Sequence, residues 1–224
     1  MARRNQRIRV VILDRQVMFA HALRAALSRE RDLEVVGVVH RADEAIALAS
    51  EAAPEVVLAD LGLAGDAAVD AVRRIGEAAP GSRVLVLASE QSELLVARAV
   101  EAGAVGVLSK FDPVESVAPA VRGAARGEEL LGPDERRRLL RRLRHRRAER
   151  ATAQQRADRL TRREIEILQQ MADAVPAAQI ATFLGISQAT VRTHVQNILT
   201  KLGVHSKTEA LAFAIRHGKV GARP

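Results

Sequence analysis

The sequence predicts two folds in series. Residues 1–126 read as an α/β domain, a doubly wound parallel sheet of five βα units, and residues 159–224 as an all-α helix-turn-helix domain. An arginine-rich helical linker over 127–158 joins them. Three observations carry this reading. Continuous apolar runs alternate with helix-patterned segments through the first half. A dense arginine run follows Pro133. The last third breaks into short amphipathic segments separated by capping residues and a glycine. A length of 224 residues suits two modest domains.

The apolar runs are Ile8–Leu13, Leu33–Val39, Val56–Ala59, Val84–Leu87 and Val105–Leu108. They are continuous rather than alternating, as in strands buried on both faces of a parallel sheet. Helical patterns cover about 17–29, 42–52, 66–78, 91–102 and 113–126. Strand and helix in strict alternation make a doubly wound sheet. Such sheets bind ligands beyond the carboxyl ends of their strands. Asp14, Asp60, Ala88 and Lys110 meet there, after strands one, three, four and five.

In the linker, Pro133-Asp134-Glu135 reads as a helix start, with proline and acids in the first turn. Leu139, Leu140 and Leu143 form a short apolar strip, weakly continued by Ala148, Ala151 and Ala157. Three roles stay open: a solvated tether, a phosphate-contacting helix, or a helix paired across a dimer. His145 reads as a polar surface residue, since no second ligand lies at metal spacing.

In the rear domain, Thr161 and Glu164 form a capping box, and Ile165, Leu168 and Met171 give the following helix one apolar face. Ala177 to Leu184 reads as a second helix, ended by Gly185, and Ser187 caps a third over about 188–202. Val191, Val195, Ile198 and Leu202 are its core face. Arg192, Thr193, Gln196, Asn197 and Lys201 are its outer face. A short helix, a turn and a longer helix with a polar and basic outer face match the geometry that enters the DNA major groove. Arg192 suits guanine O6/N7, Gln196 suits adenine N6/N7, and the Thr193 methyl suits thymine. Thr190, Lys201, His205 and Lys207 are candidate phosphate contacts, and His194 and Asn197 are expected to bond within the domain.

Composition narrows the partners. Aromatic residues are 2% of the chain, with no Trp and no Tyr, which argues against stacking on single-stranded bases. The absence of Cys excludes disulfides and thiolate metal sites and fits a cytoplasmic protein. The start MARRNQR is basic, but the apolar run behind it is too short for a secretory signal, and no run approaches the ~18 residues of a membrane span. Charge is uneven: residues 1–123 carry 15 Lys+Arg against 17 Asp+Glu, 124–159 carry 12 against 6, and 160–224 carry 8 against 4. An acidic front and a basic rear suit a chain whose rear alone meets nucleic acid.

The stretch from Leu160 to Val204 resembles the LuxR-type helix-turn-helix domain, without gaps. The matching residues include Thr161, Glu164, Leu168, Ile180, Ala181, Gly203 and the run Thr190, Val191, His194, Val195, Asn197, Ile198. The resemblance implies a four-helix domain that binds double-stranded DNA, commonly as a homodimer on two half-sites. The front resembles a response-regulator receiver, and the full chain resembles the NarL/FixJ family. Asp60 matches the family's phosphoacceptor, in the context VVLADLGLAG, and Lys110 matches its phosphoryl-contacting lysine, in GAVGVLSK. The family also implies a histidine kinase as donor and Mg²⁺ held by that aspartate and an acidic pair after strand one.

The departures are specific. The acidic pair reads Asp14-Arg15, and Arg cannot ligate Mg²⁺. The family's Thr or Ser is Ala88, Ser89 being directed to the other face by a one-residue slip. The family's strand-five aromatic is Val107. These predict a receiver without a cofactor, controlled independently of phosphorylation, with Arg15 able to pair with Asp60 in place of a metal. Two alternatives remain: phosphoryl acceptance at Asp60, and a sensor for a small-molecule or protein effector, with an anionic ligand at Arg15 and Lys110. No enzymatic activity is expected.

Overall fold

The computed structural model describes residues 7–63, 66–89 and 93–221. The chain forms two compact units, Met1–Arg144 and His145–Pro224.

The first unit alternates β1 (Ile8–Leu13), α1 (Val17–Leu27), β2 (Leu33–Val39), α2 (Ala42–Ala52), β3 (Val56–Asp60), α3 (Ala67–Ala78), β4 (Arg83–Ala88), α4 (Glu93–Glu101), β5 (Gly106–Ser109) and α5 (Val117–Ala125). The expected opening of α4 at 91 and 92 lies outside the described residues, as does most of the basic start. The strands pair in parallel in the order β2-β1-β3-β4-β5. The order reverses beside β1, so the carboxyl ends of β1 and β3 frame the crevice where such sheets place their ligand. β3 is buried along its whole length, which is why its sequence shows no polar alternation.

Alternate strand residues feed two cores. Val11, Leu13, Val57, Val84 and Val86 pack with α2, α3 and α4. Val10, Ile12, Val56, Leu58, Leu85 and Leu87 pack with α1 and α5. The helix expected over 113–126 opens instead as a 3₁₀ turn, Val114–Ser116, ahead of α5. Pro119 fits α5 because it falls in the first turn, where its missing N–H has no intrahelical acceptor to lose.

Next comes α6 (Pro133–Asp158), starting at the predicted proline. Leu139 and Leu143 are buried in the first unit's core, with Leu140 packed beside them. The leucine strip is therefore used up within the receiver-like unit rather than left for a dimer partner. Ala148 and Ala151 are exposed and Ala157 is buried.

The second unit adds α7 (Arg162–Ala172), α8 (Ala177–Leu184), α9 (Gln188–Leu202) and α10 (Lys207–Arg216) around one core. Thr161 and Glu164 form the predicted capping box. Gly185 and Gly203 close α8 and α9 at φ 64° and 66°, a left-handed backbone that glycine adopts without Cβ strain.

Candidate functional site

In the first unit, β1, β3 and β5 deliver three charged side chains to one point. Asp14 follows β1, Asp60 ends β3 and Lys110 follows β5. All three are buried: the side chains of Asp14, Asp60 and Lys110 are 0%, 1% and 4% exposed. Lys110 Nζ lies 2.5 Å from Asp14 Oδ2 and 2.9 Å from Asp60 Oδ1. Backbone bonds fix the strand ends, Leu61 N–H donating to Leu87 O and Lys110 N–H to Ala88 O, both at 2.8 Å. Gly62 N–H donates to Asp60 Oδ1 at 2.8 Å, and a Cβ at Gly62 would stand 3.0 Å from that oxygen and crowd the carboxylate. Gln16 N–H donates to Asp14 Oδ1 at 2.8 Å. The Phe19 ring lies 4.8 Å below the Lys110 ammonium.

Two carboxylates and one ammonium leave this point net acidic. Burial raises the Asp14 carboxyl above its ordinary value, with neighbouring Asp60 adding to the rise, and Lys110 and the Gln16 N–H only partly oppose it. Asp60 Oδ2 is buried with no hydrogen-bond partner among the described residues.

Of the predicted pocket residues, Asp14, Asp60 and Lys110 converge, with Ala88 buried at the end of β4. Arg15 does not join them. It is exposed, and the cation on Asp60 is Lys110. The expected Arg15–Asp60 pair is corrected for a simple reason: residue 15 is already past the strand and outside the crevice, whereas the lysine reaches it from β5. The resemblance implies Mg²⁺, and the donors do not fit it. Mg²⁺ takes a near-octahedral oxygen shell. Here an ammonium occupies the space between the two carboxylates and the third acidic position is the exposed Arg15. Among the described residues no group of three or more His, Asp or Glu side chains is placed to hold a metal.

In the second unit the capping box does more than start α7. Glu164 Oε2 accepts from Thr161 N–H at 2.7 Å and from Lys201 Nζ at 2.7 Å, and Glu164 is 3% exposed. Burial raises this carboxyl, but the Lys201 ammonium and the Thr161 donors outweigh it and hold it below its ordinary value. Lys201, a candidate phosphate contact, is thus engaged inside the domain, because a desolvated carboxylate needs a cation.

On α9, Val191, Val195, Ile198 and Leu202 are buried. Thr190, Arg192, Thr193, Gln196 and Asn197 are exposed. Ser187 Oγ accepts from Thr190 N–H at 3.0 Å, fixing the helix start. The Thr193 hydroxyl donates back to Ala189 O at 3.1 Å, within its own helix. Arg192 and Lys207 have no ion-pair partner among the described residues. His205 and Lys207 are exposed where α10 begins, and His205 N–H donates to Glu209 Oε2 at 2.9 Å. Among the described residues neither His194 nor Asn197 has a partner for the expected intradomain side-chain bond, and Asn197 joins the exposed face.

Residues 158–214 match the model of the bacterial regulatory proteins of the luxR family, and residues 10–120 match the response regulator receiver domain. The chain is 33% identical to the uncharacterized transcriptional regulatory protein YxjL of Bacillus subtilis, over 96% of this chain and 98% of that protein. It belongs to the NarL/FixJ family of response regulators. Other family members are similar over nearly their full length. The transcriptional regulatory protein LiaR of Bacillus subtilis is 35% identical over 94% of this chain and 98% of its own. The response regulator protein VraR of Staphylococcus aureus is 35% identical over 95% and 99%. Among solved structures, the response regulator ChrA of a heme-sensing two-component system covers 95% of this chain and 98% of its own, at 29% identity and a TM-score of 0.51. No described helix of this response regulator is long and apolar enough to cross a membrane.

Proposed function

We propose that the chain regulates transcription by reading a specific duplex site with the outer face of α9. One observation carries this: four adjacent polar side chains, Arg192, Thr193, Gln196 and Asn197, are exposed on a helix whose other side is fully committed to the core. Arg192 addresses guanine, Gln196 adenine and the Thr193 methyl thymine. Thr190, His205 and Lys207 take phosphates, the last two where α10 begins. Two copies bind two half-sites as a homodimer in the cytoplasm. Selection from a random duplex pool tests this. A recovered palindromic or direct-repeat consensus supports it, and no enrichment over a poly-anion control contradicts it.

For the input, the relatives favour phosphoryl acceptance at Asp60 from a histidine kinase over control without it. That reading is supported by their response-regulator designations and by the Asp60–Lys110 pair, which sets an ammonium beside the acceptor carboxylate. A second reading, control independent of phosphorylation by a small-molecule or protein effector, is supported by the exposed Arg15 and by Ala88. Exposure of the full chain to acetyl phosphate separates them. A phosphoryl adduct lost in Asp60→Asn, with a change in DNA affinity, establishes the first. Unchanged mass and affinity establish the second.

A further inference from the structure

The second unit holds a cavity of about 560 Å³, walled by α7, α8, α9 and α10. That volume falls within the ~300–1,000 Å³ of small-molecule sites. Two helix stripes face it. On α9, Arg192, Gln196 and Leu199 follow one another at helical spacing, and on α10 Lys207 and Leu211 do the same. Met171 of α7 and Ile180 of α8 complete the floor beside Val195. Ile180 and Val195 are buried in the domain core. Met171, Leu199 and Leu211 are only half-buried and turn their remaining apolar surface to the cavity.

The charge around this floor is of one sign. Arg192 and Lys207 line the cavity, and no described Asp or Glu does. Neither cation has an ion-pair partner among the described residues, unlike Lys201, which Glu164 engages. A continuous apolar floor under two uncompensated cations selects a ligand with an anionic head and an apolar body. A backbone phosphate of DNA supplies the charge but has no apolar body to cover Leu199 and Leu211. An organic cation covers the floor but meets two like charges.

We propose that this cavity binds a small aliphatic carboxylate, its chain on Val195, Leu199 and Leu211 and its head on Arg192 and Lys207, and that the bound carboxylate competes with DNA. The competition rests on the proposed reading of bases by α9, because the ligand would occupy Arg192 and cover Gln196. The binding itself does not rest on that reading. Where the two ligands exclude each other, each weakens the other by the same factor.

The test is titration of the full chain with sodium octanoate, followed by methyl NMR and, separately, by affinity for the selected duplex. Octylammonium chloride and sodium acetate are the controls for charge sign and for the chain. Saturable shifts at the Met171, Leu199 and Leu211 methyls are expected for octanoate, at concentrations at least tenfold below any effect of either control. Lys207→Gln should weaken octanoate binding at least fivefold, and Lys207→Arg should retain it. Saturating octanoate should weaken duplex binding at least fivefold. Ala177→Leu, at an exposed position of the cavity wall, should fill the space, keep duplex affinity and remove the octanoate effect. Leu211→Phe gives the same reading should Ala177→Leu fail to fold. No saturable shift with octanoate, equal binding of octylammonium, or undiminished binding by Lys207→Gln would each overturn the site. The same methyl shifts on concentrating the ligand-free chain would assign the groove to a second copy and overturn it too. Octanoate binding with unchanged duplex affinity would overturn the competition. Failure to select any duplex without octanoate would contradict the reading of bases and not the binding, which the methyl titration decides alone.

Discussion

Asp14 and Glu164 are both buried carboxylates, yet their surroundings push them in opposite directions. Glu164 is held below its ordinary value by Lys201 and Thr161, so its contribution to stability is present above the ordinary glutamate range and fades as pH falls through the lowered value. Removing the cation with Lys201→Met should destabilise the second unit by about 3 kcal/mol at neutral pH, since it leaves an unpaired buried charge. Thermal melts of the parent and variant should converge as acid protonates Glu164. Asp14 is raised by burial, so the folded state takes up its proton more readily than the unfolded one, and stability is lost as pH rises through the raised value. Asp14→Asn should therefore stabilise the chain at neutral pH, by ~1 kcal/mol, with the gain vanishing under acid. A loss of stability at neutral pH would show that the Asp14–Lys110 contact outweighs the burial of its charge. Little of this was legible in the sequence. Thr161 and Glu164 are three residues apart and announce a cap. Lys201 is 37 residues from Glu164, and nothing local marks it as that carboxylate's partner. Phe19 beneath Lys110 is hidden for the same reason.

At the scale of elements, continuous apolar runs located the strands to within a residue or two, because two-sided burial removes polar alternation. The helix ends of the second unit were equally legible, since Ser187, Gly185 and Gly203 act on neighbouring backbone. The use of α6 was not. Its leucine strip is equally consistent with a partner helix, and only the packed structure assigns Leu139 and Leu143 to the core that includes α4. Leu143→Ala should cost 2–5 kcal/mol, the range for emptying a buried leucine site. It should lower the first unit's melting temperature without changing the oligomeric state, as sedimentation would show. Arg141 and Arg146 lie on the exposed side of the same helix. Neutralising both should flatten the salt dependence of DNA binding by about 0.9 units of log–log slope for each that reaches a phosphate. An unchanged slope would make that side a solvated surface.

For the whole molecule, a sheet that gathers charge at one edge is combined with a helical unit that exposes one polar helix face. The acidic front and basic rear of the sequence already separate these two tasks, because only the rear must neutralise phosphate. Family membership and the α9 face were legible together, since the spacing of Val191, Val195, Ile198 and Leu202 leaves Arg192, Thr193 and Gln196 on the opposite side. The cation of the receiver point was not, because Arg15 is next to Asp14 in sequence while Lys110 arrives from a different strand. The proposed reading of bases by α9 rests on Arg192. It is tested most directly by the affinity of the full chain and of Arg192→Ala for the selected duplex and for point-substituted duplexes, at one fixed salt concentration. Arg192→Ala should lose about 1–3 kcal/mol on the selected site, with preference relaxed at a single base pair. Arg192→Ala binding the selected site as tightly as the parent, with the same base preferences, would contradict it.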